Sequence, residues 1–174
     1  MDDILKVKYN IVDNYPKEGI RFLDLTPILH DNVSFNSIIT TLANHIEDAE
    51  FIIAPEARGF IWGAALSYVT GLPLILARKK GKIPPTLVGA TVTYKTEYST
   101  DTLEVEDIKI GNDRKVIFVD DIYATGGTYN ACKDLVKQLG GEVFKGLVIC
   151  DLELVINPEI DSIYKGDDLL RWKY

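Results

Sequence analysis

The length, composition and charge of the chain limit the functions that it can have. Its 174 residues predict one domain with a core of its own, and 47% hydrophobic with 26% charged residues are ordinary values for a globular protein. A net charge of −7 argues against a protein that binds nucleic acid or a membrane surface, because such proteins usually carry a basic surplus.

The cysteines and the N-terminal residues favour a cytoplasmic protein. Cys132 falls in a predicted helix and Cys150 ends an apolar run, so both are expected to be small buried hydrophobic residues rather than a disulfide pair. The N-terminus begins Met-Asp-Asp and lacks the basic and apolar regions of a signal peptide. No apolar stretch has the length that a membrane-spanning helix needs.

Apolar strands and helical patterns alternate along the chain. Apolar residues at helical spacing predict a helix over residues 35–46, with Asp31 and Ser34 as possible N-terminal caps. The other predicted elements are a strand at 51–54, a helix at 60–69 that ends at Gly71, a strand at 72–77, strands at 91–94 and 102–105 around a turn at 97–101, a strand at 116–119, a helix at 128–139 and a strand at 143–150. Strands that are apolar on both faces predict an α/β fold with a parallel sheet covered by helices on each side.

The segment VIFVDDIYATGGT, residues 116–128, has the features of a sugar-phosphate site. Two adjacent carboxylates at a strand end, Asp120 and Asp121, are natural acceptors for ribose hydroxyls. The glycine-rich loop before the next helix offers backbone N–H groups and hydroxyls to a phosphate, through Ala124, Thr125, Gly126, Gly127 and Thr128. A Walker loop would need a lysine, and a dinucleotide fingerprint would need GxGxxG; neither is present. A tight turn with the aspartates as helix caps is the structural alternative.

Three further polar segments are weak signals singly but follow one another in a meaningful order. Glu56-Ala57-Arg58-Gly59-Phe60 follows a predicted strand, and an arginine there suits a diphosphate. Arg78-Lys79-Lys80-Gly81-Lys82 is a cationic cluster in an acidic protein, and Glu97-Tyr98-Ser99-Thr100-Asp101 is a polar turn.

These segments together identify a family resemblance. Residues 116–128 resemble the diphosphoribosyl-binding motif of the type I phosphoribosyltransferases. All four segments in this order, with the stretch 15–29 and the run RKKGKIPPTL at 78–87, resemble the adenine phosphoribosyltransferase family over nearly the whole chain up to about Asp151. The resemblance implies the type I phosphoribosyltransferase fold, a central mostly parallel sheet with helices on both faces. It also implies a small N-terminal hood from about residues 10–30 within a single domain over residues 1–174.

The resemblance implies a role for each matched residue. Asp120 and Asp121 would hold the ribose, and residues 124–128 the 5-phosphate. The diphosphate would be bound by Glu56, Ala57, Arg58, Gly59 and Lys80, with a non-proline cis peptide between Glu56 and Ala57. Arg21, Phe22 and Leu23 would contact the base, Phe22 as a stacking platform. The catalytic residues would be Glu97, Arg58 and Lys80, while Tyr98 and Ser99 would close a loop over the site. Mg²⁺ would bind mainly through the substrate, and the protein would be a homodimer.

The implied reaction is purine salvage. A purine, adenine by the family resemblance, would take the phosphoribosyl group from 5-phosphoribosyl 1-diphosphate (PRPP), giving AMP and pyrophosphate. Adenine enzymes usually carry an arginine directly before the aspartate of the hood, whereas here the order is Arg21-Phe22-Leu23-Asp24. A 6-oxopurine (hypoxanthine, guanine or xanthine) is therefore the alternative base. A non-catalytic sensor of PRPP and a structural nucleotide-binding module are alternatives outside the enzymes. Such sensors usually carry a separate DNA-binding segment, and this chain has neither spare length nor a basic patch for one.

Overall fold

The computed structural model describes residues 8–95 and 100–170, except for the side chains of Asp168 and Leu170. Among these residues, no helix combines the length and the apolar character that crossing a membrane requires.

A seven-stranded sheet forms the centre of the protein. The spatial order is β5-β6-β4-β3-β7-β8-β9, and the five strands from β4 to β9 in this order run parallel. β5 and β6 are antiparallel to each other, and β6 is antiparallel to β4. The strands are β3 Phe51–Pro55, β4 Leu74–Lys79, β5 Val88–Lys95, β6 Thr100–Glu106, β7 Lys115–Tyr123, β8 Glu142–Asp151 and β9 Ile160–Lys165. The predicted mostly parallel sheet is confirmed.

The helices begin and end at residues with a clear local cause. α1 (Asn32–Ala43) both starts and ends earlier than the helix predicted over residues 35–46. It starts earlier because Asp31 caps it, accepting a hydrogen bond from the Val33 N–H at 3.1 Å. α2 (Arg58–Thr70) ends where predicted, because Gly71 adopts a φ of 76° that favours glycine. The remaining helices are α3 Gly127–Gln138 and α4 Gly166–Leu170, with short 3₁₀ helices at Thr26–His30 and Pro85–Leu87.

The sheet separates two apolar clusters, as expected for helices on both faces. Along β7, Val116 and Phe118 pack in the cluster that includes α3, whereas Ile117 and Val119 pack in the cluster that includes α1 and α2. This alternation follows from the strand period of two.

The N-terminal region forms a hairpin joined to the second cluster. β1 (Asn10–Asp13) and β2 (Arg21–Asp24) pair antiparallel, and Asn10 lies opposite Asp24. Leu23, Leu25 and Ile28 are buried in the same apolar cluster as α1 and α2. The hairpin is therefore packed against the α/β sandwich through its C-terminal end.

Three local predictions are corrected. β7 does not stop at Val119 but continues to Tyr123, because its pairing with β8 continues as far as Tyr123 opposite Asp151. Thr100 and Asp101, predicted to belong to the turn, are strand residues opposite Lys95 and Tyr94. The C-terminal stretch after residue 151, left without a predicted element, supplies the edge strand β9 and α4.

Candidate active site

A cavity of about 260 Å³ opens at the C-terminal end of β7, beside the start of α3. Ligands of open parallel sheets bind at this edge of the sheet. The cavity is lined by Arg58, Tyr94, Phe118, Asp120, Ile122, Tyr123, Ala124, Thr125, Gly126, Gly127, Thr128 and Tyr129. The structure thus brings Arg58, Asp120 and the whole predicted phosphate loop together.

The glycine-rich loop gives the cavity an anion-binding wall. Gly126 has a φ of 82°, and Gly127 is the first residue of α3, whose first helical bond runs from the Asn130 N–H to the Gly126 carbonyl. The preceding N–H groups therefore have no partner in the helix and favour an anion. A Cβ atom on Gly127 would lie 2.6 Å from the Lys95 carbonyl oxygen, so a larger residue does not fit there.

The two aspartates of β7 face different partners. Asp120 lines the cavity and accepts a hydrogen bond from the Asp121 N–H at 2.8 Å. The Asp121 carboxylate is only 5% exposed and pairs with the Arg58 Nε at 2.9 Å. Adjacent strand residues point to opposite faces, which explains the separation.

Burial dominates the ionisation of this pair. Burial, with the charge of Asp121 added, raises the pKa of Asp120 well above its usual value. Burial also raises the pKa of Asp121, but the Arg58 guanidinium offsets part of that effect. Carboxylates that have lost water in this way are strong acceptors for hydroxyl groups of a bound sugar.

The segment between β3 and α2 approaches the acid pair closely. The peptide bond between Glu56 and Ala57 is cis, which confirms the geometry that the resemblance implied. A Cβ atom on Gly59 would lie 2.6 Å from the Pro55 Cδ and 3.1 Å from the Asp120 Oδ1. The Glu56 carboxylate accepts a hydrogen bond from the backbone N–H of Lys79 at 2.9 Å and so joins this segment to the end of β4.

Lys80 lies in the turn after β4 and not among the residues that line the cavity. Its backbone N–H donates to the Thr102 carbonyl at 3.0 Å, and its side chain is exposed. The neighbouring Lys79 Nζ pairs with Asp101 Oδ2 at 3.2 Å. The turn is therefore held by its backbone, which leaves the Lys80 ammonium in solvent.

The three predicted base-contacting residues have different surroundings. The Phe22 ring lies 5.5 Å from the Arg58 guanidinium carbon and contacts Tyr15 edge-on, with ring centroids 5.1 Å apart. Arg21 Nε pairs with Asp13 Oδ1 at 2.9 Å within the hairpin. Leu23 is buried in the core, so any contact of this residue with a base would involve its backbone.

Comparisons with known proteins agree with this geometry. A family model described as a phosphoribosyl transferase domain matches residues 27–169. The adenine phosphoribosyltransferase of Caldicellulosiruptor bescii is 46% identical over 141 residues, which cover 80% of this chain and 79% of the relative. The chain belongs to the adenine phosphoribosyltransferase family.

Solved structures of the family share the fold. The adenine phosphoribosyltransferase of Thermoanaerobacter pseudethanolicus superposes with a TM-score of 0.81 at 38% identity, covering 90% of this chain and 95% of its own. The Saccharomyces cerevisiae enzyme, solved with adenine and an iminoaltritol bisphosphate, has a TM-score of 0.82 at 30% identity, with 91% and 96% covered. The type I phosphoribosyltransferase fold expected from the sequence is confirmed.

The predicted loop residues Glu97, Tyr98 and Ser99 of this family member lie outside the described residues. The described strand that leads to them, β5, ends with the Lys95 carbonyl against the phosphate loop at Gly127. Lys95, the last described residue before this segment, therefore lies beside the glycine-rich loop.

Sequence reasoning missed several aromatic and apolar residues of the site. Tyr94 lies near the C-terminal end of β5, and its hydroxyl is 3.4 Å from the Thr128 Oγ1. The period-two pattern of Ala90, Val92 and Tyr94 is the signal that could have located it. Tyr129 is also missed, whereas Phe118, Ile122 and Tyr123 lie within the predicted segment 116–128 but have no role assigned from the sequence.

The C-terminal stretch supports the cavity wall from behind. The Tyr129 hydroxyl donates to Glu159 Oε2 at 2.8 Å, and the Lys133 ammonium contacts the same oxygen at 2.6 Å. The Asn157 side-chain amide donates to the Tyr123 hydroxyl at 3.3 Å. The segment before β9 is thus connected to two tyrosines of the site.

Proposed function

We propose that the protein transfers the 5-phosphoribosyl group of PRPP to adenine, giving AMP and pyrophosphate. The observation that carries this proposal is that a helix N-terminus with two glycines, a buried aspartate and an arginine converge on one cavity. Membership of the adenine phosphoribosyltransferase family, whose yeast member was solved with adenine, supports adenine as the base.

Residues 124–128 bind the 5-phosphate in this proposal. The partial positive charge at the start of α3 and its unpaired N–H groups favour a dianionic group, and the Thr128 hydroxyl adds a further donor. Asp120 accepts hydrogen bonds from the ribose hydroxyls, while Asp121 positions Arg58 through their 2.9 Å ion pair.

Arg58 is the cation best placed to act on the diphosphate. Its side chain is 43% exposed although its Nε is paired, so its terminal nitrogens are available to an anion in the cavity. Loss of the diphosphate leaves an oxocarbenium-like sugar and a highly charged leaving group, which Arg58 stabilises from the cavity lining. Lys80, whose ammonium lies in solvent, would have to turn toward the cavity to add to this effect. The backbone of residues 56–59 completes the diphosphate site.

The residues present fit a Mg²⁺ ion that is carried by the substrate. Within residues 8–95 and 100–170, no group of three or more His, Cys, Asp or Glu side chains could hold a metal ion. The buried Asp120 carboxylate faces the cavity where the sugar and diphosphate oxygens would lie. When bound, Mg²⁺ neutralises charge on the diphosphate.

The base is held between the hood and the loop at residues 96–99. Phe22 supplies a ring face beside Arg58, and Glu97 exchanges a proton or a hydrogen bond with a purine nitrogen. Tyr98 and Ser99 close over the site and exclude water that would hydrolyse the activated sugar. The hood, from about residues 10–30, and the sheet work as one domain.

One experiment tests the function and the identity of the base. The protein is incubated with Mg²⁺, PRPP and each purine separately, and pyrophosphate release is measured. Turnover with adenine alone is expected. Turnover only with hypoxanthine, guanine or xanthine would identify a 6-oxopurine enzyme, and PRPP binding without turnover on any base would identify a sensor.

A homodimer in the cytoplasm completes the proposal. The exposed faces of α2 and β4 carry large apolar side chains, among them Tyr68 at 91% exposure, with Ile61, Val69 and Leu76. Both cysteines are buried and neither forms a disulfide, which suits a reducing compartment. A mass by light scattering equal to one chain would contradict the dimer.

A further inference from the structure

Tyr123 places a hydroxyl group directly against the phosphate loop. It is the last residue of β7, is 4% exposed, and lines the cavity on the side of α3. Its ring meets the Tyr129 ring edge-on, with centroids 6.2 Å apart. A Cβ atom on Gly126 would lie 2.6 Å from the Tyr123 Oη, so the hydroxyl touches the loop where only a glycine leaves room.

The hydrogen bonds behind Tyr123 determine the direction in which its proton can point. The backbone N–H of Glu159 can only donate, and it donates to the Asn157 Oδ1 at 3.0 Å. The other end of this amide, Nδ2, therefore faces Tyr123 and donates to its Oη at 3.3 Å. Since the Tyr123 oxygen is the acceptor in this contact, its own proton is directed elsewhere.

The hydroxyl proton of the neighbouring Tyr129, unlike that of Tyr123, has an acceptor within the protein. The Tyr129 hydroxyl uses its proton in the 2.8 Å bond to Glu159, whose carboxylate can only accept. For Tyr123, none of the residues that the structure describes takes the proton, and the residue lines a cavity that has room for a ligand. A buried hydroxyl proton without a protein acceptor favours an acceptor supplied by the ligand.

We propose that Tyr123 is a further binding residue of this enzyme, whose hydroxyl donates a hydrogen bond to the 5-phosphate, and that Asn157 is the positioning residue that orients it. The proposal rests on the proposed phosphate site at residues 124–128. It adds a neutral donor from the strand end to the backbone donors of the helix start. It also gives the C-terminal segment a part in substrate binding.

The test compares ligands with and without the phosphate. Tyr123→Phe removes the donor and keeps the ring, and affinities for AMP and for adenosine are measured by calorimetry. AMP affinity should fall about tenfold, as expected for a hydrogen bond to a charged group, while adenosine affinity stays within about twofold. In steady-state kinetics, the KM for PRPP should rise by about the same factor and kcat should change little. Tyr164→Phe, a buried tyrosine on the opposite face of the sheet, is the matched control and should alter neither affinity.

The outcomes separate this proposal from the one on which it rests. If the wild-type protein binds AMP no better than adenosine, the proposed phosphate site at residues 124–128 is itself wrong. If the wild type prefers AMP and Tyr123→Phe keeps the full preference, Tyr123 is not a phosphate ligand. Equal weakening of AMP and adenosine would mean that the hydroxyl only shapes the cavity, which also overturns the proposal.

Discussion

Asp120 should stabilise the bound ribose at the expense of the stability of the protein. Its carboxylate is buried beside Asp121, and both the lost hydration and the neighbouring charge raise its pKa. An ionised Asp120 is therefore an unfavourable feature of the folded state at neutral pH. We expect Asp120→Asn to make the unliganded protein more stable, because the amide oxygen can still accept the hydrogen bond from the Asp121 N–H.

The sign and the pH dependence of the stability change follow from the direction in which the Asp120 pKa is shifted. Each unit by which folding raises a carboxyl pKa costs about 1.4 kcal/mol at a pH above both values. Because the folded pKa is the higher one, the folded state binds more protons, and the wild type loses stability as the pH rises from about 3.9, the usual value of a free aspartate. We expect a gain of about 1 kcal/mol for the variant at pH 7.5, the usual size of a single-substitution effect, or about 2–4 °C in Tm, and almost none at pH 4.

Thermal unfolding at pH 7.5 and pH 4, without Mg²⁺ or substrate, measures this effect. Asp134→Asn, the same change at an exposed position of α3, is the control and should leave Tm unchanged. Asp121→Asn should give a smaller gain, because Arg58 already offsets part of the burial effect there. The kcat/KM for PRPP should fall at least about tenfold in Asp120→Asn. A variant no more stable than the wild type at pH 7.5, or equally stabilised at pH 4, would refute the reasoning.

Three further variants address the site and its support. Gly127→Ala would push a Cβ atom against the Lys95 carbonyl. The KM for PRPP should therefore rise, and the free energy of unfolding in urea should fall by about 1–3 kcal/mol. Unchanged values would mean that the backbone at Lys95 moves to make room for the Cβ atom. Tyr129→Phe loses the bond to Glu159 and should lower the free energy of unfolding by about 1 kcal/mol, and an equal Tm would show that water replaces the bond. Glu97→Gln should lower kcat far more than it raises the KM for PRPP, and wild-type activity would exclude Glu97 from catalysis.

Local patterns were sufficient for most of the fold. The apolar run at residues 116–119 and the stop at Gly71 depend on neighbouring residues, and both were predictable because strand burial and helix capping act over short distances. The edge strand β9 was missed because its sequence, IDSIYK, is largely half-buried and becomes a strand only by pairing with β8. Pairing with β8 therefore determines the strand conformation of residues 160–165, which local propensity does not.

In the candidate site, too, the residues that are contiguous in sequence were predictable, and the contacts between distant residues were not. The acid pair and the glycine loop are contiguous in sequence, so their chemistry could be inferred from one segment. The contact of Asn157 with Tyr123 joins residues 34 positions apart, and the 5.5 Å approach of Arg58 to Phe22 depends on how the hairpin packs. No local pattern encodes such contacts.

The adjacency of the two aspartates explains how one strand end supplies both a carboxylate that lines the cavity and an anchor for Arg58. Because neighbouring strand residues point to opposite faces, Asp120 faces the cavity of the phosphate loop, and Asp121 reaches Arg58 at the start of α2. A pair separated by one residue would place both carboxylates on the same face and leave Arg58 without its anchor. The raised pKa values of both groups follow from this arrangement, because burial removes the hydration of two adjacent carboxylates and the Arg58 guanidinium offsets only part of that loss.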